Sequence, residues 1–114
     1  MLRIRRHITA QAMPVPARWE IRRDALRLTR DNAVKRDIRL FYASEYIKQA
    51  SIIATWLEQA TDLTDYQARI AAIEQIVTNG GRSGIKYGEF GKELVHDATD
   101  FYKFFTEEPK PATV

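Results

Sequence analysis

The sequence predicts an all-α fold, a small up-down helical bundle of three main helices with a short helix and an extended basic arm in front. Apolar residues recur at steps of three and four along most of the chain, as on the buried face of a helix. The 43 residues from 18 to 60 contain neither proline nor glycine. The shares of apolar (45%) and charged (29%) residues are those of a globular domain.

With 114 residues the chain has room for one domain. We divide it into a basic arm at 1–17, a helical bundle at 18–108 and a polar tail at 109–114. Prolines at positions 14 and 16 fix the backbone and lack an N–H group, so we expect them to hold the arm off the bundle.

Charge is divided unevenly along the chain. Residues 1–48 carry a net charge of +7, with 12 Lys/Arg and 5 Asp/Glu, and residues 49–114 carry a net charge of −4, with 6 Lys/Arg and 10 Asp/Glu. The first 19 residues contain no acid and four arginines: Arg3, Arg5, Arg6 and Arg18. A basic, acid-poor start is typical of mitochondrial targeting segments, and the alternative is a solvated basic arm.

Within the bundle we predict a short first helix at 18–30 and a break near Thr29–Asn32, since Thr, Asp and Asn favour helix caps. The second helix is predicted at 33–60. Its apolar seam consists of Leu40, Ala43, Ile47, Ala50, Ala54 and Leu57.

The third helix is predicted from the capping-box pattern Thr64–Gln67 to about Thr78. Asn79 and Gly80 then stop it, because glycine tolerates the left-handed C′ position. The last helix is predicted at 87–107. Its apolar face consists of Tyr87, Phe90, Leu94, Ala98, Phe101 and Phe105.

Four glycines surround the link before the last helix: Gly80, Gly84, Gly88 and Gly91. We interpret the first three as a flexible helix hinge. A GxxxG helix-packing seam is the alternative, although Arg82, Ser83 and Lys86 are too polar for one. A phosphate-binding loop would need a GK[ST] ending and a preceding apolar strand, and the sequence has neither.

The residue content argues against catalysis and against a bound cofactor or metal. The chain has no cysteine, which excludes thiolate chemistry and sulfur-ligated zinc. His7 and His96 are far apart in the sequence, and no nucleophile–base pair is recognisable. Glu93 and His96 have the spacing of carboxylate-bridged metal helices, but such a site needs a second helix of that kind. No segment resembles a conventional membrane span.

Two aromatic groups are predicted to bind partners. Phe101, Tyr102, Phe104 and Phe105 point in nearly every direction around one helix, so a single neighbouring helix cannot cover them all. At least one of these rings should therefore be exposed in the isolated chain. Phe41, Tyr42 and Tyr46 stand among basic residues, a mixture that favours partner binding and would also suit RNA.

The second half of the chain resembles the C-terminal half of the mitochondrial ATP synthase subunit g family. The resemblance covers roughly 40 residues, through Arg69-Ile70, Ile76-Val77, a glycine-containing link, Lys92-Glu93, Ala98-Thr99-Asp100 and an aromatic run. It implies a non-catalytic subunit in the membrane region, supporting dimerisation of the enzyme. That family's last helix spans the membrane, whereas this one carries several charges.

Leu28-Thr29-Arg30 is similar to the Leu-Tyr-Arg signature of LYR-type accessory subunits of respiratory complex I, with Thr in place of Tyr. That resemblance implies a basic three-helix bundle whose motif helix contacts an acyl chain on an acyl carrier protein. Phe104 through Pro109 would suit the ending of such a chain.

Both resemblances imply a structural subunit of a mitochondrial inner-membrane respiratory assembly. We expect a non-enzyme, with other protein subunits as partners and possible lipid contact. An RNA-binding mitoribosomal protein is the alternative from another class, since the basic half would bind phosphates.

Overall fold

The computed structural model describes residues 13–38, 42–79 and 90–107, and these residues form four α-helices. They are α1 (Arg18–Lys35), α2 (Ala43–Leu57), α3 (Leu63–Asn79) and α4 (Phe90–Thr106). No strand occurs in these three ranges. The all-α prediction is confirmed, but the described bundle has four helices rather than three, because the front helix is as long as the others.

The predicted helix break near Thr29–Asn32 is wrong: α1 continues through it to Lys35. The side chains of Thr29 and Asn32 both form hydrogen bonds that are compatible with a continuous helix. The Thr29 hydroxyl donates to the Ala25 carbonyl at 2.8 Å, and the Asn32 Oδ1 accepts from Arg36 Nε at 3.1 Å. The Thr29 hydroxyl shares the i−4 carbonyl with the helix ladder, and Asn32 bonds a side chain, so neither takes up a backbone N–H as a helix cap would, and the helix continues.

α1 is terminated by Asp37, which lies two residues after the last helical residue and has a positive φ of 56°. The Asp37 N–H donates to the Val34 carbonyl at 3.1 Å, and the Ile38 N–H donates to the Ala33 carbonyl at 2.8 Å. This is the Schellman arrangement, with aspartate in the position that glycine usually takes. Ile38 then packs against Ala33, as that arrangement favours. The predicted second helix consequently begins at Ala43 instead of residue 33.

The start of α3 is capped by Asp62 rather than by the predicted Thr64. The Asp62 Oδ1 accepts from the Asp65 N–H at 2.8 Å, and the Asp65 Oδ2 accepts from the Thr61 N–H at 2.9 Å. The capping interaction is therefore displaced by two residues along the chain, and α3 begins at Leu63.

Residues 13–17 lie against the bundle, which differs from the expectation that the prolines hold the arm away. The Met13 carbonyl accepts from the Leu63 N–H at 3.0 Å, and Val15 packs against the main core. The C-terminal end of the arm is thereby fixed to the start of α3.

Around the bundle the helices follow the order α1, α2, α4, α3, with the largest contacts between α1 and α2 and between α3 and α4. The core is built mainly of alanine, leucine and isoleucine. Its buried members are Ile21, Ala25, Leu28, Ala50, Ile53, Ala54, Leu57, Tyr66, Ala72, Ile73, Ile76, Leu94 and Ala98. A second, small cluster joins Ala33 to Phe90, with Ile38 and Tyr46 against it.

The predicted seam of α2 is correct at Ala50, Ala54 and Leu57, which are buried. It is wrong at Ala43 and Ile47, which are exposed, and its first member, Leu40, lies outside the described residues. Gln49 takes the interior place instead. Its Oε1 accepts from the Gly91 N–H at 2.9 Å, so a polar side chain satisfies a backbone donor in the first turn of α4.

Gly91 brings α4 unusually close to α2. A Cβ atom at this position would lie 2.8 Å from the Gln49 Oε1 and 2.9 Å from the Gln49 carbonyl oxygen. The side-chain oxygen could move, but the carbonyl belongs to the backbone of α2. Gly91 follows the predicted hinge glycines in the sequence, but in the structure it is the residue that allows α4 to pack closely on α2. The predicted hinge residues Gly80, Gly84 and Gly88 lie outside the described residues.

We expect Gly91→Ala to destabilise the protein by about 1–3 kcal/mol, because overpacking against α2 outweighs the helix propensity gained over glycine. The free energy of unfolding from urea titration measures this. Lys92→Ala, exposed in the same turn, is the matched control and should change stability by less than about 0.5 kcal/mol. A Gly91→Ala protein as stable as the parent would contradict the close-packing role.

Candidate functional site

The polar centre of the bundle is Arg69 on α3, which joins three helices. Its guanidinium carbon lies 4.8 Å from the ring centre of Trp56 on α2 and 4.6 Å from that of Tyr102 on α4. The two rings pack edge to face, with their centres 5.6 Å apart. Arg69 also donates from Nη1 to the Trp56 carbonyl at 2.8 Å, near the C-terminus of α2, where a positive charge is favourable.

Asp65, one turn before Arg69, supplies the opposite charge. Its Oδ2 lies 3.4 Å from Arg69 Nε, and its Oδ1 accepts a short hydrogen bond from the Tyr102 hydroxyl. Burial raises the pKa of Asp65, but the bonds from Tyr102 and Thr61 and the charge of Arg69 outweigh it and hold this pKa below 3.8. The hydrogen bond to Asp65, followed by burial, raises the pKa of Tyr102.

A second buried polar contact joins α1 to α3. The Tyr66 hydroxyl donates to Asp24 Oδ2 at 2.6 Å, and Tyr66 itself is buried in the main core. Burial first, and then the hydrogen bond to the Asp24 carboxylate, raise the pKa of Tyr66 well above its ordinary value of 10.0.

These polar groups have a structural role. Asp65, Tyr102 and Arg69 bind one another, and the remaining faces of Arg69 are covered by the two rings. The described residues contain no group of three or more His, Asp or Glu side chains placed to hold a metal ion. None of the helices in the described ranges is long and apolar enough to cross a membrane.

The sequence-predicted partner residues that the structure describes are divided among several elements rather than gathered on one surface. Arg3, Arg5, Arg6 and Phe41 lie outside the described residues. Arg18 is exposed at the start of α1 and forms an ion pair with Glu58, with its Nε 3.9 Å from the Glu58 Oε2. Tyr42 is exposed just before α2, whereas Tyr46 is half-buried against the small cluster of Ala33 and Phe90.

The four aromatic residues of α4 divide between the core and the surface. Phe101 and Tyr102 pack against the main core. Phe104 is 72% exposed and Phe105 is 42% exposed, with their ring centres 6.2 Å apart. The expectation that at least one of these rings is exposed is confirmed.

A groove between α1 and α2 is the surface feature that the sequence analysis missed. It has a volume of about 380 Å³. Trp19 is 65% exposed and Ile47 58% exposed, so two large apolar side chains stand at its borders. Its lining consists of Trp19, Arg22, Arg23, Leu26, Ile47, Ala50, Ser51 and Ala54.

Local periodicity could not reveal this groove, since it assigned Ile47 to the core seam. One signal was present: Trp19 stands beside Arg18 in the first turn of α1, outside the face formed by Ile21, Ala25 and Leu28. A tryptophan off the apolar face of an amphipathic helix is a candidate contact residue.

No family model, no curated protein and no solved structure matches this chain. The functional argument therefore rests on its own residues and their geometry.

We expect Arg69→Lys to destabilise the protein by about 2 kcal/mol, although the charge is kept. A lysine lacks the planar group that stacks on Trp56 and Tyr102 while it also binds Asp65. Thermal and urea unfolding measure the loss. Arg30→Lys, on the exposed face of α1, is the control and should be neutral. Equal stability of the two variants would contradict the central role of Arg69.

Stability should decrease above about pH 10, where tyrosine ionises in the unfolded chain. The pKa values of Tyr66 and Tyr102 are higher in the folded protein than in the unfolded chain. The two neutral tyrosines therefore stabilise the folded state fully below about pH 10, and this stabilisation is lost as the pH rises towards their folded pKa values. We expect a smaller loss between pH 8 and pH 11 for the Tyr66→Phe, Tyr102→Phe double variant, measured by urea unfolding. The same loss in both proteins would contradict the prediction.

Proposed function

We propose that this chain is a non-catalytic structural subunit of a mitochondrial inner-membrane respiratory assembly, with the membrane region of the ATP synthase as the first candidate. The observation that carries the proposal is the exposed apolar surface of so small a bundle. Trp19 and Ile47 border a groove on one side, and Phe104 and Phe105 form a pair at the end of α4. Clustered exposed apolar side chains mark sites that partners cover.

The polar interior supports a structural role as well. The Arg69 cluster joins three helices and leaves its acid, hydroxyl and guanidinium bound to one another rather than directed at a substrate. A rigid bundle with contact surfaces on its outside is suited to holding other subunits in place.

The compartment is supported by the basic, acid-poor start of the chain and by the two family resemblances. These resemblances leave two complexes as candidates, the ATP synthase and, as the alternative, respiratory complex I. Either assembly would use the same kind of contact surface.

The test is native electrophoresis of detergent-solubilised mitochondria from cells that express the tagged full chain. We expect the chain to migrate with the ATP synthase, and migration with complex I would select the alternative. A Phe104→Ser, Phe105→Ser variant should associate at least about tenfold more weakly, since an exposed pair of aromatic residues is a typical binding hot spot.

Val34→Ser, which removes an equally exposed apolar side chain from α1, is the matched control and should associate like the parent. Migration of the parent chain as a free 13.2 kDa protein would refute the proposal. Sedimentation with ribosomal RNA, lost steeply with added salt, would refute it in favour of the RNA-binding alternative.

A further inference from the structure

We propose that the groove between α1 and α2 binds an amphipathic helix of another subunit, and that this helix carries acidic residues along the flank that faces α1. The inference rests on the proposed function and specifies the kind of partner segment that the subunit recognises. The length of the groove, its apolar lining and its one-sided charge each support it.

The length of the groove matches two turns of a helix. The ion pair between Arg18 and Glu58 shows that the start of α1 lies beside the end of α2. The lining residues run from 19 to 26 on α1 and from 47 to 54 on α2. The groove is therefore about 10 Å long, because seven residues of an α-helix rise about 10 Å. A partner helix with apolar residues at positions i, i+3 or i+4, and i+7 presents a stripe of the same length.

The lining of the groove suits such a stripe. Leu26 is half-buried and supplies apolar surface, while Ala50 and Ala54 are buried and lie at the floor of the groove, where their small side chains leave room for another helix. Trp19 and Ile47 are more than half exposed, so a docked helix would cover much apolar area that now faces water.

The charge of the groove is confined to its α1 side. Arg22 is exposed and makes no ion pair within the described part of the chain. The guanidinium carbon of Arg23 lies 5.2 Å from the ring centre of Trp19, and its Nη2 lies 3.4 Å from Asp24 Oδ1. The α2 side contributes only Ser51 as a polar lining residue. Acidic residues on one flank of the partner helix would therefore fix its rotation in the groove.

The same charge argues against other occupants. Two copies of this chain meeting face to face at the groove would bring together two arginine rims and no acidic lining residue, so neither rim would meet an opposite charge. The arm at 1–12 contains three arginines and no acid, so it also has the wrong charge. Neither charge argument applies to a partner helix with an acidic flank.

The probe is a fluorescein-labelled amphipathic peptide of about 18 residues, long enough to form a helix on binding, with leucines at the stripe positions and glutamates along one flank. A second peptide carries lysines in place of the glutamates, and a third keeps the composition but scrambles the stripe. Fluorescence polarisation with the full chain measures the affinity of each peptide.

We expect the glutamate peptide to bind at least about tenfold more tightly than the lysine and scrambled peptides. Ile47→Glu should weaken this binding at least tenfold, while Val34→Glu, an exposed position outside the lining, should leave it unchanged. Arg22→Glu should reverse the preference between the glutamate and lysine peptides, and Arg30→Glu should not. Circular dichroism checks that each variant is folded.

Equal binding of the glutamate and lysine peptides, or binding unaffected by Ile47→Glu, would overturn the proposal. A photo-crosslinker at Ser51 of the full chain in mitochondria gives the second measurement. We expect an adduct on an amphipathic, acid-flanked helix of another subunit. An adduct on a second copy of this chain, on lipid or on RNA would also overturn it.

The two proposals fail in different ways. If the parent chain migrates with a respiratory complex and Ile47→Glu does so equally well, the groove proposal fails and the subunit proposal stands. If the parent chain migrates alone but binds the glutamate peptide through Ile47 and Arg22, the respiratory subunit proposal fails and the groove specificity stands.

Discussion

The packing of the Arg69 guanidinium against both Trp56 and Tyr102 is the interaction on which the arrangement of the bundle depends. Alanine-rich contacts bring the helices together but specify their relative positions weakly, because small side chains interdigitate little. A guanidinium that lies over two rings set edge to face, with a carboxylate at its edge and a helix-end carbonyl beyond it, has few alternative geometries. Arg69 thus gives one register to three helices.

The fixed interior explains why the outer face of α1 and α2 is available for binding. Ile21, Ala25 and Leu28 direct one side of α1 into the core, which leaves Trp19 and Arg22 on the other side. The same bundle therefore combines a polar centre whose charged groups are paired with one another and large apolar side chains that stay exposed outside it. That division is compatible with the proposed role as a subunit of a larger assembly.

Local pattern predicted the helical class, the approximate positions of α3 and α4, and most of the buried residues. It failed where a specific side-chain contact, local or distant, decides the outcome. Thr29 and Asn32 favour caps in isolation, but hydrogen bonds within α1 keep them in the helix. Gln49 is buried because it accepts from Gly91, 42 positions later, and this contact is invisible to periodicity. The groove was missed for the same reason, since exposing Ile47 depends on how α2 is rotated by its contacts with α4.

The order of the helices has a consequence for the dynamics of the molecule. The two largest interfaces join helices that are neighbours in the chain, so the bundle consists of two helical hairpins, α1 with α2 and α3 with α4. The polar contacts between described helices that cross between the hairpins are few: Tyr66 to Asp24, Gly91 to Gln49, Arg69 to Trp56 and, on the surface, the ion pair of Arg27 with Glu74. Local opening would thus separate the hairpins before it melts either one. Because both walls of the groove belong to the first hairpin, that surface would survive such a separation.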